Sequence, residues 1–138
     1  MVSASLGWVK CNFDVAIRDP GNVIAMVCRT NTWTELLQPG EPIWGEVRAA
    51  LFAVSKTVEF EFSNIILEGD AANVFNPLKE NGEKPYWVIS SIIEDIKFLL
   101  RRFNCWSIPL ICWDVNSFAH NLAAWAFCNQ KFGPISIF

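Results

Sequence analysis

The sequence predicts a single mixed α/β domain over residues 1–138, and three patterns carry that expectation. Residues 8–18 alternate between apolar and polar, the period of a strand with one buried face. Residues 23–29 repeat a strand-like run just after a Pro-Gly turn. Val47, Ala50, Leu51, Val54 and Val58 then recur at helical spacing, ahead of a short apolar run at 64–68. Strands joined by short turns pair antiparallel, whereas a strand reached through a helix can pair parallel. Three strands, helix, strand, helix, helix, strand, helix therefore describe a mixed sheet with helices on both faces.

Each element has a local cause. In 8–18, Val9, Cys11, Phe13, Val15 and Ile17 point one way, while Lys10, Asn12, Asp14, Ala16 and Arg18 point the other. Asp19-Pro20-Gly21-Asn22 reads as a turn, with Pro at i+1 and Gly free to take positive φ at i+2. Thr30-Asn31-Thr32 turns the chain again into a weaker strand at 33–37. Beyond the loop Gln38-Pro39-Gly40-Glu41-Pro42, an Ala-rich helix is expected over 43–59. Residues 64–68 read as a wholly apolar strand of the kind buried on both faces in parallel sheets. A short helix over 71–79 follows with Asp70 at its N-cap, and then the polar loop Asn81-Gly82-Glu83-Lys84-Pro85. Val88, Ile92, Ile96, Leu99 and Phe103 mark a long amphipathic helix, whose last turn carries Arg101 and Arg102 at the negative end of its dipole. A last strand is expected at 106–113, with Pro109 fitting an edge position. Asn116 can cap a final helix with a buried stripe of Phe118, Leu122, Trp125 and Ala126, and the tail from 132 to 138 is expected to be irregular.

Composition excludes several classes. A chain that is 52% hydrophobic and 14% aromatic is not disordered. A net charge of −3 argues against unaided tight binding to bulk nucleic acid, though not against a local basic patch. Five cysteines, an odd number with no CxxC pair, point to a reducing compartment and no structural zinc. No apolar run approaches the ~18 residues of a membrane span. The first residues lack the pattern of a secretory leader, so an intracellular location, nuclear or cytoplasmic, is expected.

Asp14, Glu46 and Asp70 stand out because each lies at the edge of a different apolar element. A carboxylate there is costly unless something neutralises it, and three converging carboxylates suit a hard divalent cation such as Mg²⁺ or Mn²⁺. Each also has a plainer reading. Asp14 could lie on a solvated strand face with an ion-pair neighbour. Glu46 could simply favour the positive end of a helix dipole, and Asp70 could be an ordinary N-cap. His120, the only histidine, could be a surface or packed residue. Trp44, Trp87, Trp106, Trp113 and Trp125 could stack on bases, with Trp87 and Trp113 the better groove candidates because neither fits an apolar stripe.

Four stretches in this order resemble a known family: Gly7-Trp8-Val9-Lys10-Cys11-Asn12-Phe13-Asp14, Gly45-Glu46-Val47-Arg48-Ala49-Ala50-Leu51, Leu67-Glu68-Gly69-Asp70, and Asp114 through Ala123 with Asn116, Ala119, His120 and Leu122. They are similar to the ribonuclease H-like domains of plant genomes, which are related to retrotransposon sequences and to the ribonuclease H domains of reverse transcriptases. The resemblance implies a five-stranded mixed sheet of order 3-2-1-4-5. It implies Asp14 and Asp70 on adjacent strands, Glu46 across from both in the first turn of the first helix, and His120 where many members carry a fourth acid. It implies cleavage of the RNA strand of an RNA–DNA hybrid, with two Mg²⁺ or Mn²⁺ ions roughly 3.5–4 Å apart held by Asp14, Glu46 and Asp70. His120 would then move a proton or loosely ligate a metal.

This sequence also departs from the family pattern. The stretch between Asp14 and Glu46 is short, and Trp113 and Ala124 stand where relatives often carry Arg and Lys. Three readings follow: a metal-dependent ribonuclease, a catalytically degenerate nucleic-acid-binding module, and a protein-interaction or relic domain whose exposed aromatic surface meets a partner.

Overall fold

The computed structural model describes residues 8–18, 21–28, 31–69, 76–78, 89–109 and 116–135. Among the described residues six strands form one sheet: β1 (Trp8–Ala16), β2 (Asn22–Cys28), β3 (Asn31–Leu37), β4 (Asn64–Glu68), β5 (Cys105–Ser107) and β6 (Gly133–Pro134). Among the described residues, three helices accompany it, α1 (Pro42–Glu59), α2 (Ser90–Leu100) and α3 (Ser117–Asn129), beside a helical fragment at 76–78. The strand order is β5-β4-β1-β2-β3-β6. The expected order 3-2-1-4-5 is therefore present, with one strand added beyond β3. β1 pairs antiparallel with β2 and parallel with β4, and β4 pairs parallel with β5.

The alternation in β1 becomes two different faces. Val9, Cys11, Phe13 and Val15 join Ile24, Met26, Ile65 and Leu67 in the larger core, which α1 and α2 cover with Val47, Val54, Ile93 and Ile96. The other face carries Ala16, Val23 and Ala25, on which α3 lays Leu122, Ala123 and Ala126. Small residues meet small residues there, so backbone and helix approach closely. This geometry corrects the expected stripe of α3. The buried positions are Ala119, Leu122, Ala123 and Ala126, while Phe118 and Trp125 are 53% and 45% exposed. The rings that pack against this layer, partly buried, are Phe127 and Phe132 instead.

Other boundaries also move. β3 begins at Asn31, where a turn is expected, because the register Val27↔Thr32 and Cys28↔Asn31 carries the ladder to the end of β2. Among the described residues β5 covers Cys105–Ser107, starting one residue before the expected 106; Ile108 and Pro109 follow without strand structure, and 110–115, which hold the rest of the expected strand to 113, lie outside the described residues. The tail is not irregular throughout. Gln130 and Gly133 take positive φ (52° and 92°), and Gly133–Pro134 pairs with β3. Thr34 Oγ1 donates to the Lys131 carbonyl at 2.7 Å, and the Ile135 N–H to the Thr32 carbonyl at 2.8 Å. In α2 the inward stripe is Ile93, Ile96 and Leu100, with Ile89 just before it; Ile92 and Leu99 only flank the core. Asp19, Pro20, the 79–88 segment with its polar loop and Trp87, and Cys112 and Trp113 lie outside the described residues. Of the short helix expected over 71–79, residues 76–78 are described and are helical.

No described helix is long and apolar enough to cross a membrane. Cys11, Cys28, Cys105 and Cys128 form no disulfide. Cys11 and Cys28 are cross-strand partners, both buried. A hydrogen bond with Cys28 that favours the protonated thiol, together with burial, pushes Cys11 well up from its ordinary value. In the folded state Cys11 thus keeps its proton above about pH 8.5, where an unfolded thiol loses it. The folded state then binds more protons than the unfolded one, so this contribution to stability is present below that pH and is lost as pH rises. Chemical denaturation across the alkaline range should show this decline, and Cys11→Ala should flatten it.

Gly45 sets how α1 meets the sheet. A Cβ at this position would lie 3.1 Å from Ile17 Cδ1 and 3.4 Å from both Val15 Cγ2 and Asn22 Nδ2. The N-terminal part of α1 therefore packs against the carboxyl end of β1. Gly45→Val should cost about 1–3 kcal/mol through overpacking, read as a lower denaturant midpoint with an unchanged slope.

Candidate active site

β1 presents Lys10, Asn12 and Asp14 on the face that α3 covers, and every one of them is partly shielded from water. α3 supplies the matching groups. Asp14 Oδ2 and His120 Nδ1 lie 2.8 Å apart, although the two residues are 106 positions apart in sequence. Their side chains are 12% and 36% exposed. An ionised carboxylate can only accept, so Nδ1 carries the proton in this contact, and in a neutral ring the lone pair sits on Nε2. A second polar group adjoins the pair. Asn116 Nδ2 donates to the Phe13 carbonyl at 2.8 Å, and Asn12 Nδ2 approaches Asn116 Oδ1 at 3.4 Å. Asn12 Nδ2 also donates to Glu68 Oε2 at 3.0 Å, and Lys10 Nζ lies 3.4 Å from Glu68 Oε1.

Glu46 is half-buried in α1. The helix begins at Pro42, one residue earlier than the expected start, and its first turn holds no acid. Glu46 is therefore past the first turn, where the helix-dipole benefit has faded, which weakens the plain explanation for this residue. The packing of Gly45 on Val15 and Ile17 holds this part of α1 beside the strand end that carries Asp14. Asp70 lies outside the described residues, two positions beyond Glu68. Among the described residues no group of three or more His, Cys, Asp or Glu side chains forms a metal cluster. What the described residues bring together is thus a carboxylate–imidazole pair on β1 and α3.

Sequence reasoning gave no role to Glu68, and reading 64–68 as wholly apolar overlooked it. The residue is 8% exposed, tolerated because Lys10 and Asn12 both reach its carboxylate. Charge inside an apolar strand was the available signal. Asn116 precedes α3 but makes no side-chain cap; its amide is spent on β1 instead. Two aromatic candidates for base stacking also change character. Trp44 is half-buried, with the Arg48 guanidinium 5.2 Å from its ring centre, whereas Trp125 is exposed.

Residues 5–126 match the family model described as reverse transcriptase-like. No curated protein matches the chain in sequence. Among solved structures, RNase H1 from the halophilic archaeon Halobacterium salinarum NRC-1 is 22% identical, with 88% of this chain and 98% of that one covered and a TM-score of 0.81. The N-terminal RNase H domain of a Mycobacterium tuberculosis protein is 12% identical, covering 88% and 94%, with a TM-score of 0.78. An RNase H1 isolated from compost by a metagenomic approach is 13% identical, covering 91% and 99%, with a TM-score of 0.75. At these identities the likeness is one of fold, and the mixed sheet with its flanking helices is the RNase H fold.

The Glu68 cluster can be tested on its own. Glu68→Ala removes the carboxylate that both Lys10 and Asn12 approach and should lower unfolding free energy by about 1.5–3 kcal/mol, measured by denaturant titration.

Proposed function

The chain belongs to the reverse transcriptase-like family, and on that premise we propose that it is a metal-dependent endoribonuclease that cuts the RNA strand of RNA–DNA hybrids. The 2.8 Å contact between Asp14 and His120 carries this reading, because it joins two motif residues from distant parts of the chain on one face of the sheet. Glu46 on α1 and Asp70, in the stretch that follows β4, complete the proposed acid set.

Mg²⁺ or Mn²⁺ fits the chemistry of these donors. Carboxylate oxygens are the hard ligands such ions take, and Asp14 is largely sheltered from competing water, at 12% side-chain exposure. Asp14, Glu46 and Asp70 are the residues that would hold the two ions. When bound, the ions supply an activated water and offset the charge that develops on the phosphate. His120 is oriented by its Nδ1 bond to Asp14, so that Nε2 is the nitrogen that would take or return a proton at the reacting oxygen. RNA would be distinguished from DNA through its 2′-hydroxyls in the wide, shallow minor groove.

The deciding experiment incubates labelled RNA–DNA hybrid, duplex RNA and duplex DNA with the purified chain and each metal. A hybrid-specific product is expected, with a loss of at least about 100-fold in both Asp14→Asn and Asp70→Asn. Equal product from the variants would overturn the proposed site. Salt-dependent hybrid binding without any product would leave the degenerate nucleic-acid-binding reading in its place.

A further inference from the structure

Two motif residues take no part in the chemistry proposed above: Asn12, two positions before Asp14, and Asn116, four positions before His120. Their side chains face each other across the same helix–strand contact as Asp14 and His120. Two residues along a strand advance about 6.7 Å, and four along a helix about 6 Å. A helix lying along a strand can therefore meet it twice, almost in step, when the contact residues are spaced i, i+2 on the strand and i, i+4 on the helix. Asn-x-Asp in β1 and Asn-x-x-x-His in α3 have these spacings, so the contacts are two rungs of one ladder.

Asn116 adds a backbone tie. Its Nδ2 donates to the carbonyl of Phe13, the residue immediately before Asp14, and the side chain is sheltered, with the residue 1% exposed. Helix capping does not account for Asn116, since it makes no side-chain bond to its own helix. Asn12 in turn is braced by Glu68 Oε2 at 3.0 Å.

From this geometry we infer that Asn116, backed by Asn12, is a positioning residue: it sets the height and rotation of α3 on β1 and thereby the orientation of the His120 ring on Asp14. The inference rests on reading Asp14 and His120 as a functional pair, but it can be tested without turnover. His120 is the only histidine, so its ring signals are unambiguous in the ¹⁵N-labelled full chain. Long-range ¹H–¹⁵N spectra report which ring nitrogen is bonded to the carboxylate, and Asp14→Ala provides the signature of the lost bond. In Asn116→Ala the ring signals should move toward that signature while far-UV circular dichroism stays unchanged; in Asn12→Ala they should move part of the way. A residue that merely supported the fold would lower the Tm and leave the ring signals where they are. Where hybrid cleavage is measurable, Asn116→Ala should lower kcat about 10–100-fold with KM within about twofold. Unmoved His120 signals in whichever of the two variants folds would overturn the inference. Moved signals in a protein that cleaves no hybrid would keep it and overturn the nuclease reading instead.

Discussion

How closely α3 lies on the sheet governs the polar side of this molecule. Ala119, Ala123 and Ala126 have almost no side chain to hold the helix away, and Ala16 and Ala25 offer a low surface beneath them. Buried alanine stabilises less per residue than leucine or isoleucine, because it removes less apolar area from water. What it permits is reach. Short side chains such as Asn and Asp on β1 can touch Asn and His on α3 directly, at 3.4 and 2.8 Å, only because the two backbones are near each other. Bulkier residues at the contact would hold the two elements further apart and stretch these bonds beyond hydrogen-bond distance.

The same economy explains why β1 tolerates so many polar groups at the centre of a sheet. Its odd-numbered positions join the larger core, and its even-numbered positions Lys10, Asn12 and Asp14 find partners on β4 and α3. A slip of one residue in the pairing of β1 would turn these side chains into the apolar layer beneath α1 and α2. Burying them there without partners would cost several kcal/mol, so the polar network selects one register as well as supporting one site. Glu68 belongs to this arrangement: a nearly buried acid at the end of β4, acceptable because a lysine and an amide meet its two oxygens.

The exposed rings of α3 follow from this packing. Phe118 and Trp125 look like core residues in a hydrophobic list, yet they face solvent, while Ala119, Leu122, Ala123 and Ala126 of the same helix are buried. Helical periodicity shows that a stripe exists; when almost every position is apolar, it does not show which stripe is buried. The alternation of β1 left no such ambiguity, because a strand has only two faces and one of them carried charges.

Much of the architecture was therefore legible from residue order alone. Periods of two and of about 3.6, the Pro-Gly turn at residues 20–21 and the apolar strand before Gly69 recover the order of the elements, since these signals arise within a few residues of one another. Asp14, Glu46 and Asp70 stand out by their places at the edges of apolar elements, and His120 through the family resemblance. Contacts between distant segments were not legible. The bond of Asn116 to the Phe13 carbonyl joins residues 103 positions apart, and the pairing of Gly133–Pro134 with β3 depends on where the chain returns after α3. Such contacts form when long loops close and surfaces of matching height meet, and neither condition is written in any local stretch of the chain.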